Sequence, residues 1–413
     1  MKRILFLELS NPSKKSVGGS FFSLQAMLEL FPELRNRANV AFYFENKIAQ
    51  SLIEKGFDVR FLKYHKSGVL TFFVKWIKSV FFSKRSSMVM PSLSKHPVVN
   101  ENIKYSKFEI IWQYYVAIYN AIGICLLIKK TKTDIVYCNC GINIDRAGII
   151  AALILKKRVC CHLRNMPKLT LVDRLLARRV DYFVAISRAV SLHYKRELLD
   201  NNIPISIIIN PVGRSFGNKP TNCMPKNFKK SYTVISCFSR MLYWKGQEVL
   251  IDSFNELLQK NRNALLLIYG QGEESKRLKM MVEKLNISDK VLFKGFVNDI
   301  ESEMLAADII VNPSTSPEPL GRTIMEGMSL GRTVVATNIG GAVELINDGF
   351  NGYLVRPNSV EDLSNILLYL CKDPQKRIEV GIRAKEKSIE QWNSRIVKNN
   401  YSEVFKYLDI IKT

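Results

Sequence analysis

Two carboxylates, Glu318 and Glu326, stand eight residues apart in the stretch VNPSTSPEPLGRTIMEGMSLGRTVVATNIGG, residues 311–341. Pro317 and Pro319 flank Glu318 and hold it on a loop. Gly321 opens a predicted helix whose apolar positions are Thr323, Ile324, Met325 and Met328, with Glu326 about a turn inside it. A helix start exposes free backbone N–H groups and a partial positive charge, which suits phosphate. The order is acid, anion site, acid. A nucleotide-sugar presents a matching order of sugar hydroxyls, diphosphate and ribose hydroxyls, and carboxylates accept hydrogen bonds from hydroxyls at both ends.

A second loop offers the cations. After a predicted strand at 232–238 comes Ser239-Arg240-Met241-Leu242-Tyr243-Trp244-Lys245-Gly246, then a helix from Gln247. Arg240 and Lys245 on a strand-to-helix loop are suited to gripping a diphosphate and offsetting the charge that builds on it as a sugar bond breaks. No D-x-D sequence occurs, so the common divalent-metal clamp is not expected. Arg240, Lys245 and the helix start at Gly321 are expected to replace it, with no cofactor besides the donor itself.

The 311–341 stretch resembles the donor-binding signature of the retaining glycosyltransferases of the GT4 family (glycosyl transferases group 1). Their fold is α/β and of GT-B type, two Rossmann-like domains facing a central cleft. The family pattern E-P-x-G-x-x-x-x-E-x-M-x-x-G, a strand and a T-x-x-G-G turn is met by Glu318, Pro319, Gly321, Glu326, Met328 and Gly331, by Val334 and Val335, and by Thr337, Gly340 and Gly341. Leu320 stands for a usual Phe, Gly327 for Ala and Thr333 for Pro. Ser239 replaces the Gly of the family's G-R…K-G element. The resemblance is strong over residues 232–357 and topological before that.

The resemblance implies roles. Glu318 would hold sugar hydroxyls and Glu326 the ribose, with Gly321 and Leu320 beside the donor. Gly270, in a glycine turn after a strand at 264–269, and Phe296, in Gly295-Phe296-Val297, would lie near the nucleotide. Gly18 and Gly19, after the first strand, would approach the donor phosphate and acceptor. His162 ends a strand in CCHLRN, where relatives place a His near the donor sugar, although many of them read His-Asp and this chain reads His162-Leu163-Arg164. Arg164 would meet acceptor phosphate. Sugar transfer to a hydroxyl acceptor with anomeric retention follows by resemblance. A GT-B nucleotide-sugar epimerase and a non-catalytic, membrane-docked binding subunit are the alternatives. Polysaccharide or lipid-linked glycan assembly is the expected setting.

These residues need a scaffold. At 413 residues, nearly half of them apolar, two domains are expected. The reading places the first at 1–213 and the donor-binding domain at 230–390, with a linker near 213–230. A last helix within 391–413, begun by Trp392, is expected to cross back onto the first domain. Strand and helix patterns alternate through both halves, which predicts parallel sheets. Eight Cys in so long a chain do not suggest a disulfide framework, and no C-x-x-C pair marks a zinc site. The amino-terminal apolar run reads as a first strand, and a cytoplasmic chain is expected.

The net charge of +24 is uneven. Residues 1–213 carry 33 Lys/Arg against 14 Asp/Glu, and residues 214–413 carry 28 against 23. A basic half implies an anionic partner, acidic lipid or a phosphorylated acceptor. Nucleic acid is not expected, because zinc-finger spacing and RNP-type aromatic motifs are missing. Residues 66–98 put Leu70, Phe73, Ile77, Val80 and Phe81 on one helical face beside basic residues, a pattern suited to the cytoplasmic face of a membrane or to packing on the sheet or a partner. Phe108–Ile128 is the longest apolar run. Glu109, Gln113 and Asn120 argue against a span there, and it reads as a buried helix.

Overall fold

The computed structural model describes residues 2–10, 19–64, 107–198, 204–212 and 232–411. The amphipathic reading of 66–98, the linker near 213–230 and Gly18 lie outside them. The chain forms two compact units. The first comprises residues 1–186, 190–208 and 398–413; the second comprises 187–189 and 209–397.

The first unit holds seven parallel strands: β1 (Ile4–Glu8), β2 (Ala38–Phe42), β3 (Asp58–Phe61), β4 (Ile135–Cys138), β5 (Arg158–Leu163), β6 (Tyr182–Ala185) and β7 (Ile205–Ile207). Their order is β3-β2-β1-β4-β5-β6-β7. The second unit holds six: β8 (Thr233–Phe238), β9 (Ala264–Tyr269), β10 (Val291–Gly295), β11 (Ile309–Asn312), β12 (Thr333–Thr337) and β13 (Tyr353–Val355), ordered β10-β9-β8-β11-β12-β13. In each sheet the chain winds outward from the first strand, then returns to its other side and winds the opposite way. The reversal leaves a crevice at the carboxyl ends of two central strands, β1 and β4 in one unit and β8 and β11 in the other.

The central strands are largely apolar because helices cover both faces. Strands β1, β2, β8, β9, β11 and β12 are buried at every position. Three aspartates finish the amino ends of the sheets. Asp134, Asp181 and Asp308 each precede a strand and accept the backbone N–H of Arg3 (2.9 Å), Val159 (2.7 Å) and Val234 (2.8 Å) on or beside a neighbouring strand. Each satisfies a donor that the ladder leaves open.

Local chemistry sets the helix boundaries. Asn46 accepts from Ile48 and Ala49 to start the Lys47–Glu54 helix. Thr170 and Asp173 form a reciprocal capping box for Leu171–Ala177. Trp392 does not begin the last helix. It ends Pro374–Trp392, is buried, and donates from Nε1 to Ser329 Oγ at 3.1 Å. The last helix is Ser394–Tyr407, and its Tyr401 and Phe405 sit in the first unit's interior beside Phe31 and Tyr137.

The expectation of a buried helix at Phe108–Ile128 is corrected. Lys107–Thr131 is one continuous helix, but one side faces outward: Ile111 is 67 % exposed and Leu126 65 %. Among the described residues this helix alone, over Ile111–Thr131, is long and apolar enough to cross a membrane by length and composition. Its inner side packs on the Arg146–Ile154 helix. Arg146 anchors the contact, lying 4.9 Å from the Tyr114 ring centre, donating to Gln113 at 3.0 Å and pairing with buried Asp173 at 2.6 Å.

Candidate active site

The second unit brings Glu318 and Lys245 into direct contact. They are 73 positions apart in the chain, yet Lys245 Nζ lies 2.7 Å from Glu318 Oε1. The crevice explains the meeting. Arg240 and Lys245 lie on the segment leaving β8, and Asn312, Ser314 and Glu318 lie on the end of β11 and the segment leaving it. Only 13 % of the Lys245 side chain and 14 % of the Glu318 side chain is exposed. The Ser314 hydroxyl also donates to Glu318 Oε1, and the Asn312 side chain adds a further bond. Burial would push the Glu318 carboxyl up, but Lys245, Ser314 and Asn312 outweigh it and hold the group below its ordinary value. Glu318 is therefore a carboxylate at neutral pH. Lys245 rests on the Trp244 ring, 4.3 Å from its centre, and Arg240 is exposed and within electrostatic reach of Glu318.

The loops carrying the pair are tied together. Thr315 N donates to the Trp244 carbonyl at 2.9 Å, and Thr337 Oγ1 to the Ser314 carbonyl at 2.7 Å. Gly341 N donates to the Glu318 carbonyl at 2.8 Å. Gly340 has φ of 61°, and a Cβ there would stand 2.4 Å from the Glu318 carbonyl oxygen, so this turn requires glycine. Gln247 supports the other loop, donating to Ser239 Oγ at 2.7 Å and to the Arg240 carbonyl at 2.9 Å. The serine that replaces the family's glycine thus has a partner of its own.

The Arg322–Ser329 helix begins beside this pair. Its N-cap, Gly321, is left-handed with φ of 96° and supplies no side-chain cap, so the first N–H groups are not closed by a cap. Glu326 is buried and faces back along the helix to Arg322, whose Nε is 2.6 Å from Glu326 Oε1. Leu320 is buried at 3 % exposure, whereas Phe296, just past β10, is 66 % exposed. Gly270, past β9, donates to the Gly295 carbonyl at 2.7 Å. Among the described residues no group of three or more His, Cys, Asp or Glu side chains is placed to hold a metal ion.

In the first unit His162 departs from expectation. The ring is wholly buried, and its pKa is pushed well down, first by burial and then by Arg164. Nδ1 meets the Tyr137 hydroxyl at 2.8 Å and Arg164 at 3.1 Å, and the Tyr401 ring centre is 6.2 Å away. The buried ring offers no surface to a sugar in this structure. Arg164 is half-buried and lies at the sheet's carboxyl edge, its Nε 2.7 Å from the Asn139 carbonyl and an Nη 2.8 Å from Asn139 Oδ1. Asn139 also donates to Glu8, which is buried and takes further bonds from Ser10, from Ser20 (3.1 Å) and from Cys140 (2.8 Å). Gly19 begins the helix Gly19–Leu30 that carries Ser20.

Sequence reasoning passed over Asn312, Ser314, Gln247, Glu8 and Asn139. One signal was available: a polar residue at the carboxyl end of an otherwise apolar strand marks the edge where ligands gather.

The model of the family Glycosyl transferases group 1 matches residues 219–387. A glycosyltransferase of uncharacterised role from Methanocaldococcus jannaschii is 28 % identical over 243 residues, 57 % of this chain and 61 % of that protein. The N-acetyl-alpha-D-glucosaminyl L-malate synthase of Bacillus anthracis is 24 % identical over 249 residues, 60 % of this chain and 64 % of that protein. The chain thus spans a little under two thirds of the length of these curated relatives. Among solved structures, that of Anabaena HepE in complex with UDP-glucose superposes with a TM-score of 0.76 at 22 % identity, covering 98 % of this chain and all of that one. The likeness shows the fold, that of the GT-B glycosyltransferases. The family model thus matches a stretch that takes in most of the second unit, and the fold is shared over nearly the whole chain.

Proposed function

We propose that the chain transfers a sugar from a nucleoside-diphosphate sugar to a hydroxyl acceptor, in glycan assembly. The observation that carries this is the Lys245–Glu318 pair in the β8/β11 crevice, beside the uncapped helix start at Gly321. The donor diphosphate lies against that helix start and draws Lys245 and Arg240 toward its oxygens. Glu318 then turns its freed oxygen to the sugar hydroxyls. Glu326, steadied by Arg322, takes the ribose hydroxyls. Phe296, Leu320 and Gly270 are assigned to the nucleotide side, Gly18 and Gly19 to the donor phosphate and the acceptor, and Arg164 to acceptor phosphate.

The bond from the anomeric carbon to the phosphate oxygen breaks, and its electron pair leaves with the nucleoside diphosphate. The acceptor oxygen bonds to the anomeric carbon on the same face, and its proton passes to the departing phosphate oxygen. The configuration is therefore retained. Arg240, Lys245 and the helix start stabilise the charge on the leaving group, which makes the step independent of metal. The chain works at the cytoplasmic face of an anionic membrane, where its basic first half meets acidic lipid or a phosphorylated acceptor.

Thermal shift against a panel of nucleotide-sugars tests donor binding. A ligand at one hundred times its Kd stabilises by about 2.7 kcal/mol and raises Tm measurably. Slow release of free sugar from the donor without acceptor is expected, with the anomer read by NMR. Binding without any turnover favours the binding-subunit alternative, and a donor epimer as the product favours the epimerase.

A further inference from the structure

The outward side of the Lys107–Thr131 helix is apolar over most of its length. Ile111, Tyr115, Ile118, Tyr119, Ile122 and Leu126 are between 40 % and 67 % exposed. At 100° per residue they fall in one stripe about 100° wide, and Ile111 to Leu126 spans about 22 Å along the axis. The opposite side, with Ala117, Asn120, Ala121, Ile124 and Ile128, is buried. The stripe continues onto a second element. Tyr114 hydrogen-bonds Thr170, the cap of the Leu171–Ala177 helix, and Leu171 and Leu175 there are 73 % and 52 % exposed.

The exposed charges flanking this surface are mainly cationic; Glu197 is paired with Arg174. Lys129 and Lys130 are exposed at one end, and Lys168, Arg178 and Arg179 are exposed around the second helix. The acid of the longer helix, Glu109, lies in its first turn, none follows from Ile111 to Thr131, and Asp173, the acid of the second helix, is buried against Arg146. A monomer's surface rarely keeps so continuous an apolar band. An aromatic and aliphatic band bounded by cations complements a bilayer's headgroup boundary: the apolar band enters the acyl edge, and the lysines and arginines meet anionic phosphates.

We propose that this face, formed by Lys107–Thr131 and Leu171–Ala177, docks the chain on anionic lipid with the longer helix lying in the plane of the interface. The inference deepens the membrane element of the proposed function by naming the surface, and it rests on that element. It does not depend on the donor chemistry, which lies in the other unit.

Vesicle co-sedimentation of the full chain tests it, using phosphatidylcholine vesicles with and without phosphatidylglycerol. Binding is expected with phosphatidylglycerol, weakening as salt rises. The triple variant Ile118→Ser/Ile122→Ser/Leu126→Ser lowers partitioning by roughly tenfold or more, because each loses apolar area at the acyl edge. Lys129→Glu/Lys130→Glu lowers it as well, and more at low salt than at high salt. Both variants keep the wild-type Tm and nucleotide-sugar thermal shift, since the altered residues are exposed and far in sequence from Lys245 and Glu318. Equal binding to both vesicle types, or unchanged binding by the triple variant, overturns the proposal. So does a concentration-dependent dimer that the triple variant abolishes, which makes the face a contact between copies. Loss of nucleotide response with vesicle binding intact would instead overturn the transferase reading alone.

Discussion

Replacing Lys245 by Met separates stability from function at this site. At 2.7 Å and an effective dielectric of about 20, the Lys245–Glu318 attraction is about 6 kcal/mol before desolvation is charged against it. Both side chains are mostly buried, so the pair lies near the buried limit, where removing one partner costs about 3–5 kcal/mol. Ser314 and Asn312 still donate to Glu318, and the residual exposure lets water screen it. Lys245→Met should therefore cost about 2–4 kcal/mol in urea denaturation. The double variant Lys245→Met/Glu318→Gln leaves no unpaired charge and should return to within about 1 kcal/mol of wild type. Donor affinity, followed by calorimetric titration with a nucleotide-sugar, should fall in the single variant and stay low in the double, because the cation facing the diphosphate is gone. A coupling energy below about 0.5 kcal/mol in the stability cycle would refute the buried-pair argument. Recovery of donor affinity in the double variant would refute the role given to Lys245.

Three further outcomes are expected. Glu326→Ala should weaken donor binding by about 1.5–3 kcal/mol, and Glu318→Ala should lower turnover more than binding; unchanged kinetics in both, with the fold intact, removes the site assignment. Activity should survive EDTA, and complete loss restored by magnesium or manganese would show that a metal takes part in the charge compensation given to Arg240 and Lys245. His162 is held neutral beside Tyr137, Tyr401 and Arg164, its folded pKa well below the ordinary 6.5. The unfolded chain then binds the extra proton, so the fold loses about 1.4 kcal/mol per pH unit from this group as pH falls below 6.5 toward the folded value. Unfolding free energies of wild type and His162→Gln across pH 7 to 5 should diverge with that slope; parallel curves would show that the ring protonates in the fold.

Much of the architecture is legible from residue order alone, because its signals are local. Apolar runs bounded by glycine and polar turns marked the strands within a residue or two, and the ordering Glu318, Gly321, Glu326 is a loop-to-helix pattern complete within nine residues. Asn46, Thr170 and Ser359 cap helices through bonds to residues two or three positions on, so they too are local. The tertiary structure decided what depends on strand order. That Lys245 and Glu318 touch follows from β8 lying beside β11, a neighbour relation that no spacing within either segment encodes. His162 ends a strand like a ligand-edge residue, and the packing of Tyr137, Arg164 and Tyr401 around it leaves it buried. The Lys107–Thr131 helix is apolar almost all round, so its pattern contains no preferred side. The contact with Arg146–Ile154 chose which face to bury and thereby left the opposite face exposed.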